Sequence, residues 1–373
     1  MSRARDFADL AGSADAGGLT GKNMVVNGAM RFNQRRANST GFGSSSDTYA
    51  VHDRFRQQAD SSGTFTISQS TESPDGFSNS MKIDCTSADS SPNYFLIIHR
   101  MEGQNLQHLQ KGTSGAKSVT VSFYVRSNKT GTYQLNLRDM DNTRIIGGTY
   151  TIDAANTWEQ KSLTFVGDTS GSLDNDNANS LQLEWWIAAG STYNSGAVPT
   201  AWEATANVDR AAGLNVHIGA STDDEFYLTG VQMEVGSKAT SFEHRDYSEE
   251  LLSCQRYLQL WNFGSSYQGG GGFSGMIYSA DLAFVTIPYF CEMRASPTGG
   301  ITAASTWQLI NPSDAPDAVN SISMYGQGKM SATIQVDAST SSSTPTASAT
   351  SGVILWPDNS SSDDAFVRLD AEL

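Results

Sequence analysis

The chain has 373 residues, only 17 % of them charged, and Asp plus Glu (39) outnumber Lys plus Arg (24) for a net charge of −15. That balance counts against a nucleic-acid backbone as partner, since phosphate contacts need clustered Lys and Arg. The length exceeds one ordinary domain, so two are expected, and no apolar run approaches the roughly 20 residues of a membrane helix.

Ser2 to Leu10 has room for a short helix with Phe7 and Leu10 on one side, alongside the basic Arg3 and Arg5. So short a helix is ordered only when docked, and the following AGSADAGGLTG reads as a flexible tether. The segment is either an anchor that plugs into another protein or a disordered terminus. No apolar core follows the basic residues, so it does not read as a signal peptide.

From Asn23 the pattern turns to β. Met24 to Val26, Tyr49 to Phe55 and Thr64 to Ile67 are short strand candidates, with a loop over Gly41 to Ser46. Ser80 to Cys85 and the apolar run Tyr94 to Ile98 come next. The strongest strands are Ser118 to Arg126, Tyr133 to Arg138, Trp158 to Val166 and Ser180 to Ile187, all of which alternate apolar and polar residues. In the first, Val119, Val121, Phe123 and Val125 are expected inward and Tyr124 and Arg126 outward. Glu225 to Val235 closes the series, with Tyr227, Thr229, Val231 and Met233 on one side and Phe226, Leu228, Gln232 and Glu234 on the other. Many short strands at this spacing predict a β-sandwich or jelly roll over residues 23–245.

Gly236-Ser237 breaks that last strand. Asp246 with Glu249 reads as a helix start, and Leu251, Cys254, Leu258 and Trp261 recur at helical spacing, so a linker helix is expected over 246–262. Its apolar stripe either covers a sheet of its own chain or meets symmetry mates as a short coiled segment. Residues 263–373 follow as a second, smaller β-sandwich, with a glycine-rich hinge over Asn262 to Gly272 and a Ser/Thr-rich surface loop over Ala338 to Gly352. The fold class is therefore mainly β.

The run LTGVQMEVGSKATSFEHRDYSEELLSCQRYLQ resembles a signature of bacteriophage and prophage tail-fibre-like structural proteins. The resemblance extends to MSRARDFADL, NMVVNGAMRFNQR, MEGQNLQHL, KSVTVSFYVRSNKTGTY, NTWEQKSLTFVGDTSG and LEWWIAAGSTY, together roughly the first two-thirds of the chain. MRASPT and the ending RLDAEL are similar to later segments of the same family. It implies a virion appendage subunit, trimeric, with a jelly-roll domain similar to carbohydrate-binding modules. It also turns residues 1–22 into a virion anchor on a tail or adaptor protein, through Arg3, Arg5, Phe7 and Leu10. Assembly in the host cytoplasm suits the three widely spaced cysteines, read as free thiols.

No catalytic constellation emerges: the five histidines are scattered, and no GxSxG, HExxH or phosphate-binding loop occurs, so no enzyme and no cofactor are expected. Carboxylates paired in space for glycoside cleavage stay open as an alternative. A host-polysaccharide-binding face is the better candidate. Tyr124, Arg126, Gln134, Asn136, Arg138, Glu184 and Trp186 fall at outward positions, and an outward Trp186 needs a reason. Either a sugar stacks on its indole, or the face packs on a neighbouring subunit or on the chain's own loops. Asp168, Asp174 and Asp176 place hard oxygen ligands close together, as a structural calcium would use, or they form a solvated acidic loop. Within the virion, a head fibre, decoration or adaptor protein is the alternative to a tail fibre; outside it, a secreted glycan-binding or glycan-degrading protein is.

Overall fold

The computed structural model describes residues 21–264, 272–279, 282–310, 317–337, 352–358 and 364–373, so the anchor candidates Arg3, Arg5, Phe7 and Leu10 lie outside the described residues, as does most of the loop expected over Ala338 to Gly352. The chain divides into two units, Met1–Glu250 with Leu373, and Leu251–Glu372. Both are built from antiparallel strands.

The first unit holds β1 (Asn38–Phe42), β2 (Ser46–Thr48), β3 (Phe55–Asp60), β4 (Thr64–Ser70), β5 (Ser80–Ser87), β6 (Tyr94–Glu102) and β7 (Val119–Ser127). It continues with β8 (Gly131–Asp139), β9 (Arg144–Ile152), β10 (Glu159–Phe165), β11 (Asn179–Ala189), β12 (Glu203–Ala204) and β13 (Glu225–Val235). One sheet has the order β1-β4-β5-β13-β7-β10 and the other β12-β9-β8-β11-β6-β3-β2. The period-two pattern explains the sandwich directly, because alternate side chains leave opposite faces of a strand. Val119, Val121, Phe123 and Val125 of β7 share one core with Leu181, Leu183, Trp185 and Ile187 of β11. Phe123 meets Trp185 edge to face at 5.8 Å. Each such fully buried side chain contributes roughly 1.5–3 kcal/mol, which makes this jelly-roll core the main source of stability.

β13 departs from simple alternation. Gly230 has φ +62°, and the pairing register with β7 shifts between Thr229 and Gln232. This bulge moves the inward set from Phe226 and Leu228 to Val231 and Met233, residues expected on opposite faces. A side chain at Gly230 would lie 2.8 Å from Phe77 and 2.9 Å from Tyr124, so only glycine fits there.

Two strand expectations near the start need correction. Met24 to Val26 is not a strand: Met24 donates its N–H to the Met233 carbonyl, and the Asn23 side chain accepts from Val25 and Met233. Tyr49 to Phe55 is mostly turns, with Arg54 at φ 70°, although Phe55 opens β3. The loop expected over Gly41 to Ser46 is present but shorter, between β1 and β2, because Asn38 to Phe42 find partners on β4 and Ser46 to Thr48 on β3. Pairing partners far along the chain, not local composition, decide these segments.

The helix starts as its capping residues predict, with the Asp246 carboxylate accepting the Ser248 N–H at 2.8 Å, but it runs only from Tyr247 to Gln255. Leu258 to Gly264 forms β14, paired with Ala365 to Asp370. The apolar repeat Leu251, Cys254, Leu258 and Trp261 is therefore split between a helix and a strand. A run such as YLQLWNF fits a strand as well as a helix, and the C-terminal partner strand decides it. Cys254 and Leu258 are wholly buried, and Trp261 stacks on Phe290 at 4.9 Å.

The second unit adds β15 (Phe273–Ser279), β16 (Leu282–Pro288), β17 (Thr298–Ile301), β18 (Trp307–Ile310) and β19 (Asp317–Ala318) to β14. It ends with β20 (Ser321–Gln327), β21 (Ser331–Asp337), β22 (Gly352–Pro357) and β23 (Ala365–Asp370). A three-stranded sheet, β14-β23-β17, and a seven-stranded sheet, β19-β18-β22-β15-β16-β21-β20, enclose a core that includes Phe273, Val285, Ile334, Leu355 and Val367. This is the smaller β-sandwich.

Candidate functional site

Five of the seven glycan-face candidates meet on the outer side of β8 and β11. Antiparallel register sets Glu184 opposite Asn136, Gln182 opposite Arg138 and Trp186 opposite Gln134. Trp186 does point away from the main core, as alternation predicts, but it is wholly buried. The segment 190–214 crosses over it, with Ala211, Tyr193 and Leu214 packed against Trp186, Leu96 and Ile98 in a separate apolar cluster.

Polar groups on this face are satisfied by the same segment. Gln134 donates to the Asp209 carbonyl at 3.0 Å and accepts the Gly213 N–H at 2.7 Å. Asn136 donates to the Arg210 carbonyl at 2.7 Å. The Arg210 guanidinium grips Glu184 with two bonds, 2.9 and 3.2 Å, and lies 4.9 Å over the Trp186 ring. Glu184 also accepts from Gln182 at 2.6 Å and Arg138 at 3.4 Å, and the Trp186 indole N–H donates to it at 3.3 Å. Burial alone would raise the Glu184 pKa, but the charges of Arg210 and Arg138 bring it down to about 2. The carboxylate is thus ionised, dry and fully engaged. This face packs on the chain's own loop, and an outward indole is stabilised by a cover instead of a ligand.

Tyr124 and Arg126 are not part of that face. They lie on β7, in the other sheet, so they stand on the opposite outer side of the sandwich. There Tyr227 of β13 pairs in register with Lys82 of β5 and Arg126 of β7. Arg126 sits 4.8 Å over the Tyr227 ring, Lys82 5.7 Å over it, and Trp158 meets its edge at 6.0 Å. Arg126 is ion-paired to the exposed Glu72 and donates to the Asn156 carbonyl at 3.1 Å. Lys82 bridges Glu225 at 2.5 Å and Asp84 at 3.2 Å. Burial would lower the Lys82 pKa, but those two carboxylates raise it above the ordinary lysine value. Tyr124 packs on Phe77 at 5.4 Å. Donors, acceptors and the half-buried Trp158 ring share this side, where water reaches them. Such a surface can bond hydroxyl groups and stack on the C–H face of a sugar.

Lys82, Trp158, Glu225, Tyr227 and Arg210 are the residues that reading the sequence did not single out. Lys82 and Arg126 lie on strands joined only through β13, and no local signal announces that register. Arg210 sits in an irregular segment with no periodicity at all.

Asp168, Asp174 and Asp176 do not converge on a metal position. Asp168 is held by Arg144 at 2.7 Å and Lys111 at 3.0 Å. Burial would raise its pKa, but those two cations keep it below the usual carboxylate value. The Lys111 ammonium is also bonded to Asp139 and to the carbonyls of Ser170 at 3.1 Å and Gly171 at 2.8 Å, so an amino group sits among the oxygens near Asp168. Asp174 and Asp176 are exposed, and the Asp176 carboxylate accepts the Ala178 N–H. No group of three or more His, Cys, Asp or Glu able to hold a metal occurs among the described residues. These residues do not fit a calcium.

No family model and no curated protein sequence matches the chain. Among solved structures, it is similar to the enzymatically active domain of bacteriophage CBA120 tailspike protein 4, at 12 % identity over 57 % of this chain and a TM-score of 0.32. The chain spans 21 % of that tailspike chain. It is also similar to a family 11 carbohydrate-binding module from Clostridium thermocellum, in complex with a mixed-linked tetrasaccharide. There the identity is 11 % over 56 % of this chain and 98 % of that one, with a TM-score of 0.27. A third neighbour is the C-terminal family 22 carbohydrate-binding module of Clostridium thermocellum Xyn10B, 10 % identical over 49 % of this chain and 88 % of that one, with a TM-score of 0.26. The structural neighbours of this mainly β chain are thus jelly-roll carbohydrate-binding modules and a phage tailspike domain, all at low identity.

Proposed function

We propose that the chain is a non-enzymatic structural subunit of a phage particle, an appendage such as a tail fibre, carried as a homo-oligomer and touching host-surface glycans. The observation that carries this reading is the water-accessible end of the outer face of β5, β13 and β7, where Arg126, Lys82, Glu225 and Glu72 offer hydrogen-bonding groups beside the half-buried Trp158, over a buried Tyr227. A shallow face of this kind binds weakly per copy, and several copies on one particle make weak binding sufficient. The resemblance of LTGVQMEVGSKATSFEHRDYSEELLSCQRYLQ and its companion stretches to tail-fibre-like proteins supports the virion role. Two of those stretches meet in the fold: Val231 donates its N–H to Gly28, and Glu250 accepts from Asn27 and from Arg245 at 3.1 Å.

The test is a glycan array read with wild type and with Arg126→Ala and Trp158→Ala. Binding by wild type that both substitutions weaken by tenfold or more is the expected result. A profile that neither changes, or no binding to any host polysaccharide, removes the glycan role. Incubation with host polysaccharide followed by a reducing-end assay is expected to release nothing, and released ends would make the protein a hydrolase. Imaging of the particle with the subunit labelled is expected to place it on the tail, and a label on the head would make it a head fibre or decoration protein.

A further inference from the structure

The apolar stripe that the sequence offers for contact between copies, Leu251, Cys254, Leu258 and Trp261, has its central members buried within the monomer. Exposed apolar side chains gather elsewhere in the second unit, on the outer side of its seven-stranded sheet. The inward positions of β15 and β16 hold core residues such as Ile277 and Val285. The outward positions hold Met276 and Tyr278 on β15, Phe284 on β16, Tyr325 on β20 and Ile354 on β22. Met276 is 59 % exposed, Tyr278 69 %, Tyr325 67 % and Ile354 39 %. Met276 stands opposite Phe284 across the β15–β16 pairing. Phe284 in turn touches Tyr278 at 5.5 Å and Tyr325 at 4.9 Å, so three rings form one row across the sheet.

The polar residues between them are uncharged: Ser274, Thr286, Thr333, Gln335 and Ser323. Among the described outward positions of these strands only Asp337, at the end of β21, carries a charge. In a chain of net charge −15 this choice matters, because two copies repel wherever their acidic surfaces approach. An uncharged side rich in Tyr, Phe and Met is the composition that marks the centre of a protein contact, and its burial gains the most apolar area. A sugar is a poorer match. Met276 and Ile354 offer nothing to hydroxyl groups, and the ring pairs stand at 71° and 56° to each other instead of forming a flat platform.

We propose that this side of the β22-β15-β16-β21-β20 sheet is the surface on which a second copy of the chain docks. The inference rests on the homo-oligomeric part of the proposed function and assigns that contact to a sheet in place of a helix. The full chain is run by size-exclusion chromatography with light scattering, as wild type, as Met276→Glu/Tyr325→Glu, and as the conservative Met276→Leu/Tyr325→Phe. The glutamates sit at exposed positions, so the thermal midpoint is expected to stay near wild type, while the mass falls to that of the monomer through a weakening of tenfold or more per site. The conservative pair is expected to keep the wild-type mass. An oligomer that survives both glutamates overturns this surface while leaving the oligomeric appendage intact. A wild type that is already monomeric overturns both. A glutamate variant of unchanged mass that loses glycan-array binding overturns the docking role and makes the face a sugar platform.

Discussion

The two outer faces of the first sandwich are drawn from the same kind of strand and differ in how far each is covered. On β8 and β11 the outward set Gln134, Asn136, Glu184 and Trp186 is roofed by residues 190–214, and every one of these side chains is buried. On β5, β13 and β7 the outward Tyr227, Thr229, Gln232 and Glu234 are buried too, but Lys82, Glu225 and Arg126 keep contact with water at one end of the face. An outward position therefore does not make a binding residue. Arg210, carried by the roof, supplies the counter-charge that lets Glu184 stay ionised away from water.

The largest expected effect breaks the roofed face. Glu184→Gln leaves Arg210 and Arg138 without their carboxylate and is expected to cost about 3–5 kcal/mol in denaturant unfolding of the full chain. A loss under about 1 kcal/mol would mean that this carboxylate does not hold the roof. Trp186→Ala empties a buried indole site and is expected to cost a similar amount, about 3–5 kcal/mol, while leaving the pattern of any glycans bound unchanged. If it abolished binding and spared stability, the two faces would have to exchange roles.

An intermediate effect is set by pH. Burial pushes His52 down to about 3 and His99 well below the ordinary histidine value, so both are neutral in the folded chain. The unfolded chain takes up their protons first, near pH 6.5, so stability is full above that pH and falls as pH drops toward 3. Each histidine contributes a slope of about 1.4 kcal/mol per pH unit in that window. Chemical denaturation at pH 7, 6 and 5 reads the slope, and His52→Leu is expected to remove about half of the histidine part, His99 keeping the rest; an unchanged slope would place the titration elsewhere. The smallest effect belongs to the water-accessible end of the other face. Arg126→Ala is expected to change stability by about 1 kcal/mol or less, since its partner Glu72 is exposed, while it weakens glycan binding. A loss comparable to that of Glu184→Gln would show that this end is structural too.

Much of the sandwich was legible from alternation alone. Val119 to Val125 and Leu181 to Ile187 face the core as their period requires, and Asp246 starts the helix as a cap should. The failures share a cause. At Gly230 a one-residue bulge reverses the faces of β13, and at Leu258 a strand partner from the C-terminus captures residues with a helical repeat. For the candidate site, Trp186 was placed on the correct side but its cover was invisible, and Tyr124 and Arg126 were assigned to a face that belongs to the other sheet.

By itself, then, the sequence determined the β character and the inward sets of β7 and β11, because these follow from side-chain period, which is a local quantity. Only the tertiary structure decided which strands share a sheet, which outward residues are covered and which meet water, and where exposed apolar residues gather. Those outcomes depend on pairings between residues far apart in the chain, such as Glu184 with Arg210 and Tyr227 with both Lys82 and Arg126. No short stretch encodes them, since each partner is satisfied only once the backbone has brought the other within a few ångströms.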